Sequence, residues 1–539
     1  MSFVSLMTGA RILSSRPRKT RATSLDPTCT CRAFLSIYSP TYCPSAVDCA
    51  RIPLYYVFVS APKICRMIQF VLLCAGVTAI LFFSSFHLFD SPETWMDEGL
   101  IIQSAVGLLH TGEAALPVAP GIFEPAWYIT TGFPLTLPLA AAFAFFGVSL
   151  EAARLVMLAF LLCFYAVLFL YARRAIGGTA AWFGFFLLVF FAPIYGNGRN
   201  VLGEIPGLLF MLLAFLPLLY GGELTRTKVL CIGAGAGLAV ATKPIFILFL
   251  PALLVTALLH RREFSLRTAF PFGALGVAVP LIVWFFLQFD GVGISQVLAI
   301  YANPHAVDIK SAIAANVHRL FAEGQPLYFF MALVAWCASY AVRRIRREAV
   351  SFAEESLLFF SVFVAFAYLR TAGYYRYFFP AQIFVLLYLP QSVLYLARGR
   401  ARMVSLAVIA CLCGLVLFQA YETAFRSWTA VHYNSTRTET LARYVAGLPA
   451  KAKIFVYQAP EAVPFLSGRA VYQYAEITPT IRFGEAYVPL ILSGEVPRII
   501  TRADLFEAHR TDLFAHYVLS GEADGYAMLV HTALSGQSR

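Results

Sequence analysis

Apolar stretches of 14 to 22 residues recur from residue 68 to about residue 421, and they leave this chain few folds to adopt. A helix crosses a bilayer with roughly 20 apolar residues, fewer where its ends are thin or interfacial. The chain therefore reads as a polytopic α-helical membrane protein. Its 60% hydrophobic content and mean hydropathy of +0.72 exclude an ordinary soluble protein of 539 residues. From about residue 422 the pattern changes, and residues 422–539 read as a soluble α/β domain. The expected elements are an amphipathic helix over 438–450, a strand over 453–458, a helix and turn over 459–468, and strands over 470–475 and 524–532. No nucleotide-binding or nucleophile motif occurs there.

Residues 1–66 resemble neither part. They hold five of the eleven cysteines, seven arginines, two lysines and only two acids, which is +7 of the net +12. This segment reads as a doubtful or disordered leader, with Met67 a conventional start directly before the first span. Its cysteines form no CxxC pair, so neither a zinc site nor a disulfide framework is indicated. The other six cysteines lie in apolar runs, where they serve packing.

Basic clusters between spans mark the cytoplasmic side of a membrane protein. Here they are Arg173–Arg174, Arg226 with Lys228, Arg261–Arg262, "RRIRR" (343–347), and Arg398, Arg400 and Arg402. All five fall on one side if spans lie near 68–89, 152–172, 178–195, 205–220, 229–242, 244–259, 269–289, 326–342, 356–369, 377–397 and 403–421. That gives about eleven transmembrane helices in a domain spanning 67–421, with the N-terminus inside and the C-terminal domain extracytoplasmic. The stretch "FPLTLPLAAAFAFFG" (133–147), with two interior prolines, then lies within the first outer loop (90–151) as a re-entrant or juxtamembrane element.

With this parity, "SPETWMDEGLIIQS" (91–104), "NGRNVLGEIP" (197–206), Lys243 in "GLAVATKP" and "RTAGYYRYFFP" (370–380) all lie at the outer surface. Charges at membrane depth are costly and usually functional. Their types suit transfer of a sugar from a lipid phosphate. Lys243, Arg370 and Arg376 match phosphate oxygens, and Asp97 can accept a proton from an attacking hydroxyl. Bland readings stand beside these. Lys243 can be a snorkelling lysine, Tyr374 and Tyr375 part of an aromatic belt, and Arg199 and Glu204 partners of each other. Arg154 can be a packing or headgroup contact, and Glu93 simply solvated.

Five segments carry a resemblance: "MDEG" after the first span, "FPLTLPLAAAFAFFGVSLEAARLVMLAF" (133–160), "GRNVLGEIPGLLFMLLAF" (198–215), "GAGAGLAVATKPIFILFLP" (233–251) and "YYRYFFPAQIFVLLY" (374–388). In this order the chain resembles the GT-C superfamily of lipid-phosphate-sugar-dependent glycosyltransferases. It is most similar to the branch of dolichyl-phosphate-mannose protein mannosyltransferases and bacterial aminoarabinose transferases. The resemblance implies that Asp97 is the catalytic base, that Glu98 is its acidic neighbour, and that Glu204 stands where a second-loop aspartate is usual. It implies substrate binding by Lys243, Arg199, Arg370, Tyr374, Tyr375 and Arg376. One departure is "TTGFPL" (130–135), uncharged where the family often has Lys or His, so phosphate binding leans on Lys243 and the 370–376 arginines.

The implied partners are a polyprenyl-phosphate sugar donor, a lipid, glycan or protein acceptor, and membrane lipids; nucleic acid is not among them. No cofactor is expected. No His/Cys/Asp cluster has metal-ligand spacing, yet some relatives hold a divalent metal near these acids, so a divalent metal stays open as an unpredicted addition. "NST" (434–436) is a glycosylation sequon meaningful only in a eukaryotic host, and the short loops suggest a bacterial inner (plasma) membrane. The rival readings are a multi-span transporter, for which paired inverted halves are expected, and a polymerase or ligase of lipid-linked glycans.

Overall fold

A computed structural model describes residues 62–221, 224–262, 265–289, 292–293, 295–297, 308–371, 375–427, 436–449, 451–466, 470–478, 481–523 and 525–535. The expected leader therefore lies outside the described residues up to position 61, as do Tyr374 and the first two residues of the sequon.

The first helix, α1 (Pro62–Ser85), leads to α2 (Met96–Thr111). Asp97 and Glu98 occupy the first turn of α2, where carboxylates complement the positive end of the helix dipole. Gly112 ends it in the left-handed conformation (φ +82°), its N–H bonding to the Leu108 carbonyl. An antiparallel hairpin of β1 (Ala115–Ala119) and β2 (Ile122–Pro125) follows, then α3 (Phe133–Phe146) and α4 (Leu150–Tyr171). The 14-residue α3 covers the expected re-entrant stretch and is shorter than a span. Ser149 caps α4 by accepting from the Ala152 N–H at 3.1 Å.

The bundle continues with α5 (Gly178–Val189), α6 (Ala192–Arg199), α7 (Glu204–Leu219), α8 (Arg226–Thr242), a 3-10 turn (Pro244–Leu248) and α9 (Phe249–Leu259). Then come α10 (Leu266–Gln288), α11 (Ile309–Ala322), α12 (Gln325–Ile345), α13 (Phe352–Leu369), a second 3-10 turn (Tyr375–Tyr377), α14 (Phe379–Leu396) and α15 (Arg402–Tyr421). Among the described residues, seven helices are long and apolar enough to cross a membrane, or eight if α5 and α6, bent by 55°, form one span. The expected count of eleven is not reached by that criterion, and the shortfall lies between residues 204 and 259. There α7 and α8 have 16 and 17 residues, about 24–26 Å at 1.5 Å per residue. The third candidate opens at Pro244 as a 3-10 turn to Leu248 and only then becomes an 11-residue helix. Small residues compensate by close packing: a methyl on Gly237 would meet the Val277 carbonyl at 2.7 Å, and one on Gly276 the Leu230 carbonyl at 2.5 Å.

The C-terminal region has α16 (Thr436–Ala446) and a six-stranded sheet of β3 (Lys453–Tyr457), β4 (Ala470–Thr478), β5 (Ile481–Phe483), β6 (Arg498–Arg502), β7 (Tyr517–Ala523) and β8 (Tyr526–His531). The order is β5-β4-β3-β6-β8-β7, with β3 parallel to β4 and β6 and the other pairs antiparallel. The helix at 438–450 and the strands at 453–458, 470–475 and 524–532 occur with shifted ends; a 3-10 helix (Pro460–Phe465) takes the place of the helix at 459–468. Strands β5, β6 and β7 were not legible. The sheet packs on the first loop: Ala475, Ile481 and Phe483 share one core with Leu100, Ile101 and Leu116. The Glu124 carboxylate also accepts from the Gly484 N–H at 3.0 Å. The C-terminal sheet and the loop bearing Asp97 therefore lie on the same side of the bundle.

Candidate active site

The two adjacent carboxylates of α2 have opposite surroundings. On a helix, neighbours are turned about 100° apart. Glu98 points inward and is fully buried. Arg154, also fully buried, grips it with two bonds, Nε to Oε1 at 3.2 Å and Nη2 to Oε2 at 3.1 Å. The Val201 N–H adds a third at 3.2 Å. Arg154 spends its remaining donors on the carbonyls of Leu88, Phe89 and Pro92 and on the Asn200 side chain. One arginine thus ties together the end of the first span, the start of α2 and the segment after α6. Glu98, expected as a catalytic neighbour, is a satisfied buried partner in this clamp.

Asp97 faces the other way. Its side chain is 30% exposed and pairs with Arg376 at 2.6 Å. The Arg376 guanidinium lies over the rings of Trp95 and Tyr377. Burial works against the charge of Arg376, but Asp97 and Glu204 outweigh it and hold the guanidinium above its ordinary range. Burial, with Asp97 nearby, also raises the Tyr377 hydroxyl, so at neutral pH it is an uncharged donor.

Glu204 opens α7 directly after Gly203, and Lys243 ends α8 in extended conformation before Pro244, a residue that bars further helix. Their side chains, 2% and 5% exposed, pair at 2.9 Å. Glycine lets the two turns meet, because a methyl on Gly203 would stand 2.9 Å from the Thr242 carbonyl and 3.2 Å from Lys243 Cδ. The uncharged "TTGFPL" stretch reaches the same turn, where the Gly132 N–H bonds to the Thr242 carbonyl at 3.3 Å. Glu204 Oε2 and Thr131 Oγ1 are buried and have no hydrogen-bond partner among the described residues.

The remaining expected site residues are placed differently. Arg199 does not pair with Glu204; it is 3% exposed and donates to the carbonyls of Phe83 and Phe86, closing the end of the first span. Tyr375 sits among Phe329, Tyr368 and Phe378. Arg370 is exposed at the C-terminal cap of α13. The signal for Arg154 was available as a lone arginine at the end of an apolar helix; nothing in the sequence named Glu98 as its partner. Among the described residues no group of three or more His, Cys, Asp or Glu side chains is arranged to hold a metal ion. Asp97, Glu98 and Glu204 each face a cation of the chain instead.

The fold has known counterparts. ArnT from Cupriavidus metallidurans, solved bound to undecaprenyl phosphate, matches with a TM-score of 0.57 over 86% of this chain and 98% of its own, at 13% identity. The oligosaccharyltransferase AglB from Archaeoglobus fulgidus, in complex with an inhibitory peptide and a dolichol-phosphate, matches with a TM-score of 0.51 over 84% and 71%, at 12% identity. The chain has the GT-C fold. Residues 134–286 also match the family model described as dolichyl-phosphate-mannose-protein mannosyltransferase, which bears out the resemblance drawn from the ordered motifs. A search of curated proteins by sequence finds no match. The matched segment carries Glu204 and Lys243, while Asp97 and Arg376 lie outside it.

Proposed function

We propose that this protein is a membrane glycosyltransferase that moves a sugar from a polyprenyl-phosphate donor to an acceptor hydroxyl or amine at the membrane surface. The observation that carries this reading is the meeting of Asp97–Arg376 and Glu204–Lys243 at one end of the bundle, one carboxylate open to solvent and two cations within a shielded site. ArnT bound to undecaprenyl phosphate and AglB with dolichol-phosphate support the donor class.

In this reading the acceptor attacks the anomeric carbon while its proton passes to an Asp97 carboxylate oxygen. The bond from that carbon to the phosphate oxygen breaks, and its electrons leave with the phosphate. Lys243 and Arg376 neutralise the departing charge from fixed positions. Arg376 is shared in the process: as the phosphate draws on the guanidinium, its hold on Asp97 slackens and the carboxylate becomes a better base. The unpartnered Glu204 Oε2 accepts a hydrogen bond from a hydroxyl of the sugar. Glu98 keeps α2 in place through Arg154.

Sidedness belongs to the same proposal. The short helices α7, α8 and α9 run between the carboxylate end and the end marked by Arg174–Tyr220 and His260–Glu355, which supports eleven passages with the site and sheet extracytoplasmic. Cysteines at 347 and 495, in a background stripped of native cysteines, should label oppositely with an impermeant thiol reagent; labelling of both from outside contradicts it. The function is tested by giving membranes with and without the protein a set of labelled polyprenyl-phosphate sugars. Label is expected to move to an acceptor only with the protein present; donor that stays intact in every pair counts against the reading.

A further inference from the structure

The third residue of the Asp97-Glu98-Gly99 run has no role in proton transfer or phosphate binding, yet it is where the backbone of α2 packs directly on the backbone of the Pro460–Phe465 turn that follows β3. A methyl at Gly99 would overlap the Pro460 carbonyl oxygen, lie 2.5 Å from the Pro460 carbonyl carbon and 3.0 Å from the Glu461 nitrogen. Those are backbone atoms of the Pro460–Phe465 turn, so no side-chain rotation relieves the overlap. The turn is itself held: the Ala462 N–H bonds to the Ala459 carbonyl at 3.0 Å, and the Glu461 carboxylate accepts from the Tyr526 hydroxyl of β8 at 3.1 Å. On the other flank, Glu124 bonds to Gly484 and Tyr128 meets the Phe483 ring.

We infer that Gly99 is a positioning residue through which the soluble sheet sets the Asp97 carboxylate. Inward, Glu98 is fixed by Arg154; on the side of the sheet, the Pro460 carbonyl rests on Gly99. With both seats occupied the first turn of α2 has no room to tilt, and Asp97, two residues from Gly99, is held against Arg376. A methyl at position 99 has to lift the turn from α2 or tilt α2 away from Arg376. Either movement displaces the base relative to an acceptor while leaving Lys243 and Glu204, on α8 and α7, where they are.

This inference rests on the glycosyltransferase reading, and the two fail separately. The test is Gly99→Ala in the full-length protein in vesicles, with turnover of a labelled polyprenyl-phosphate sugar and binding of undecaprenyl phosphate alone both measured. Displacement near 1 Å costs up to roughly 10²-fold in rate, so kcat should fall at least tenfold with undecaprenyl phosphate binding unchanged within about twofold. Hydrogen exchange should rise in 96–104 and 454–466. If Gly99→Ala does not fold, Glu124→Ala decides: loosening the second contact should lower kcat about threefold to tenfold with the same unchanged lipid binding. Normal turnover in whichever variant folds, or a loss of turnover that only follows loss of lipid binding, overturns the inference. If Asp97→Asn retains turnover while Gly99→Ala does not, the catalytic reading is what has failed.

Discussion

At one end of the bundle Asp97, Glu98 and Glu204 face Arg376, Arg154 and Lys243; at the other, Glu354 and Glu355 face Arg343, Arg344 and His260. The second cluster sits at the first turn of α13 and Arg376 just beyond its last, so one 18-residue helix, about 27 Å long, separates them. Both clusters place carboxylates and bases in a largely apolar molecule. At the α13 start, however, Glu354 and Glu355 are 6% and 0% exposed. Glu354 is held by Arg343, by the Trp336 indole at 3.5 Å, and by the Ser351 hydroxyl that caps its backbone N–H. Glu355 bonds to His260 at 2.9 Å. The site end differs in pairing a closed carboxylate, Glu98, with a part-exposed one, Asp97. A buried ion pair by itself is weak evidence of function. What separates the two ends is which charges remain able to meet something that arrives.

That contrast can be broken by substitution. The largest cost is expected from Arg154→Met, which strands the Glu98 carboxylate in a dry interior. Removing one member of a buried pair costs about 3–5 kcal/mol, to be read as a large drop in melting temperature in detergent. Next is Glu354→Gln, which weakens a charge-assisted contact and should cost about 1–3 kcal/mol of stability while turnover per folded molecule stays unchanged. A fall in turnover at constant stability would show the α13 end to be part of the chemistry. The smallest effect is expected on donor binding, where loss of a charged contact to phosphate in Lys243→Ala predicts undecaprenyl phosphate binding about tenfold weaker. Unchanged binding would remove Lys243 from the donor site.

How far the sequence carried is visible in the same residues. The apolar stretches, their order and the break near residue 422 follow from composition and period, and helical structure covers each expected span, with 178–195 broken between α5 and α6 and 244–259 opening as a 3-10 turn. The helices between 204 and 259 were harder to count, because glycine and proline shorten them and close packing replaces length. Within "MDEG", the sequence placed both acids at a membrane edge but had no means of telling which one turns inward; that depends on Arg154, 56 residues away. Arg199 and Glu204, five residues apart, looked like mutual partners, yet each finds its counterpart on another element. Strand β6, "RIITR", offers only three consecutive core residues, and β7 has mostly exposed or half-exposed positions. Neither gives the alternation that marks a strand. The contact of Gly99 with Pro460 joins positions 361 residues apart and has no local signature.

The central claim is that Asp97 accepts the acceptor's proton. Asp97→Asn keeps the size and hydrogen-bonding reach of the side chain while removing its basicity. Measured as single-turnover transfer from a labelled polyprenyl-phosphate sugar, with undecaprenyl phosphate binding as the control, the rate should fall by roughly 10²–10⁴ and binding should hold. An Asp97→Asn protein that transfers sugar at close to the normal rate would contradict the account.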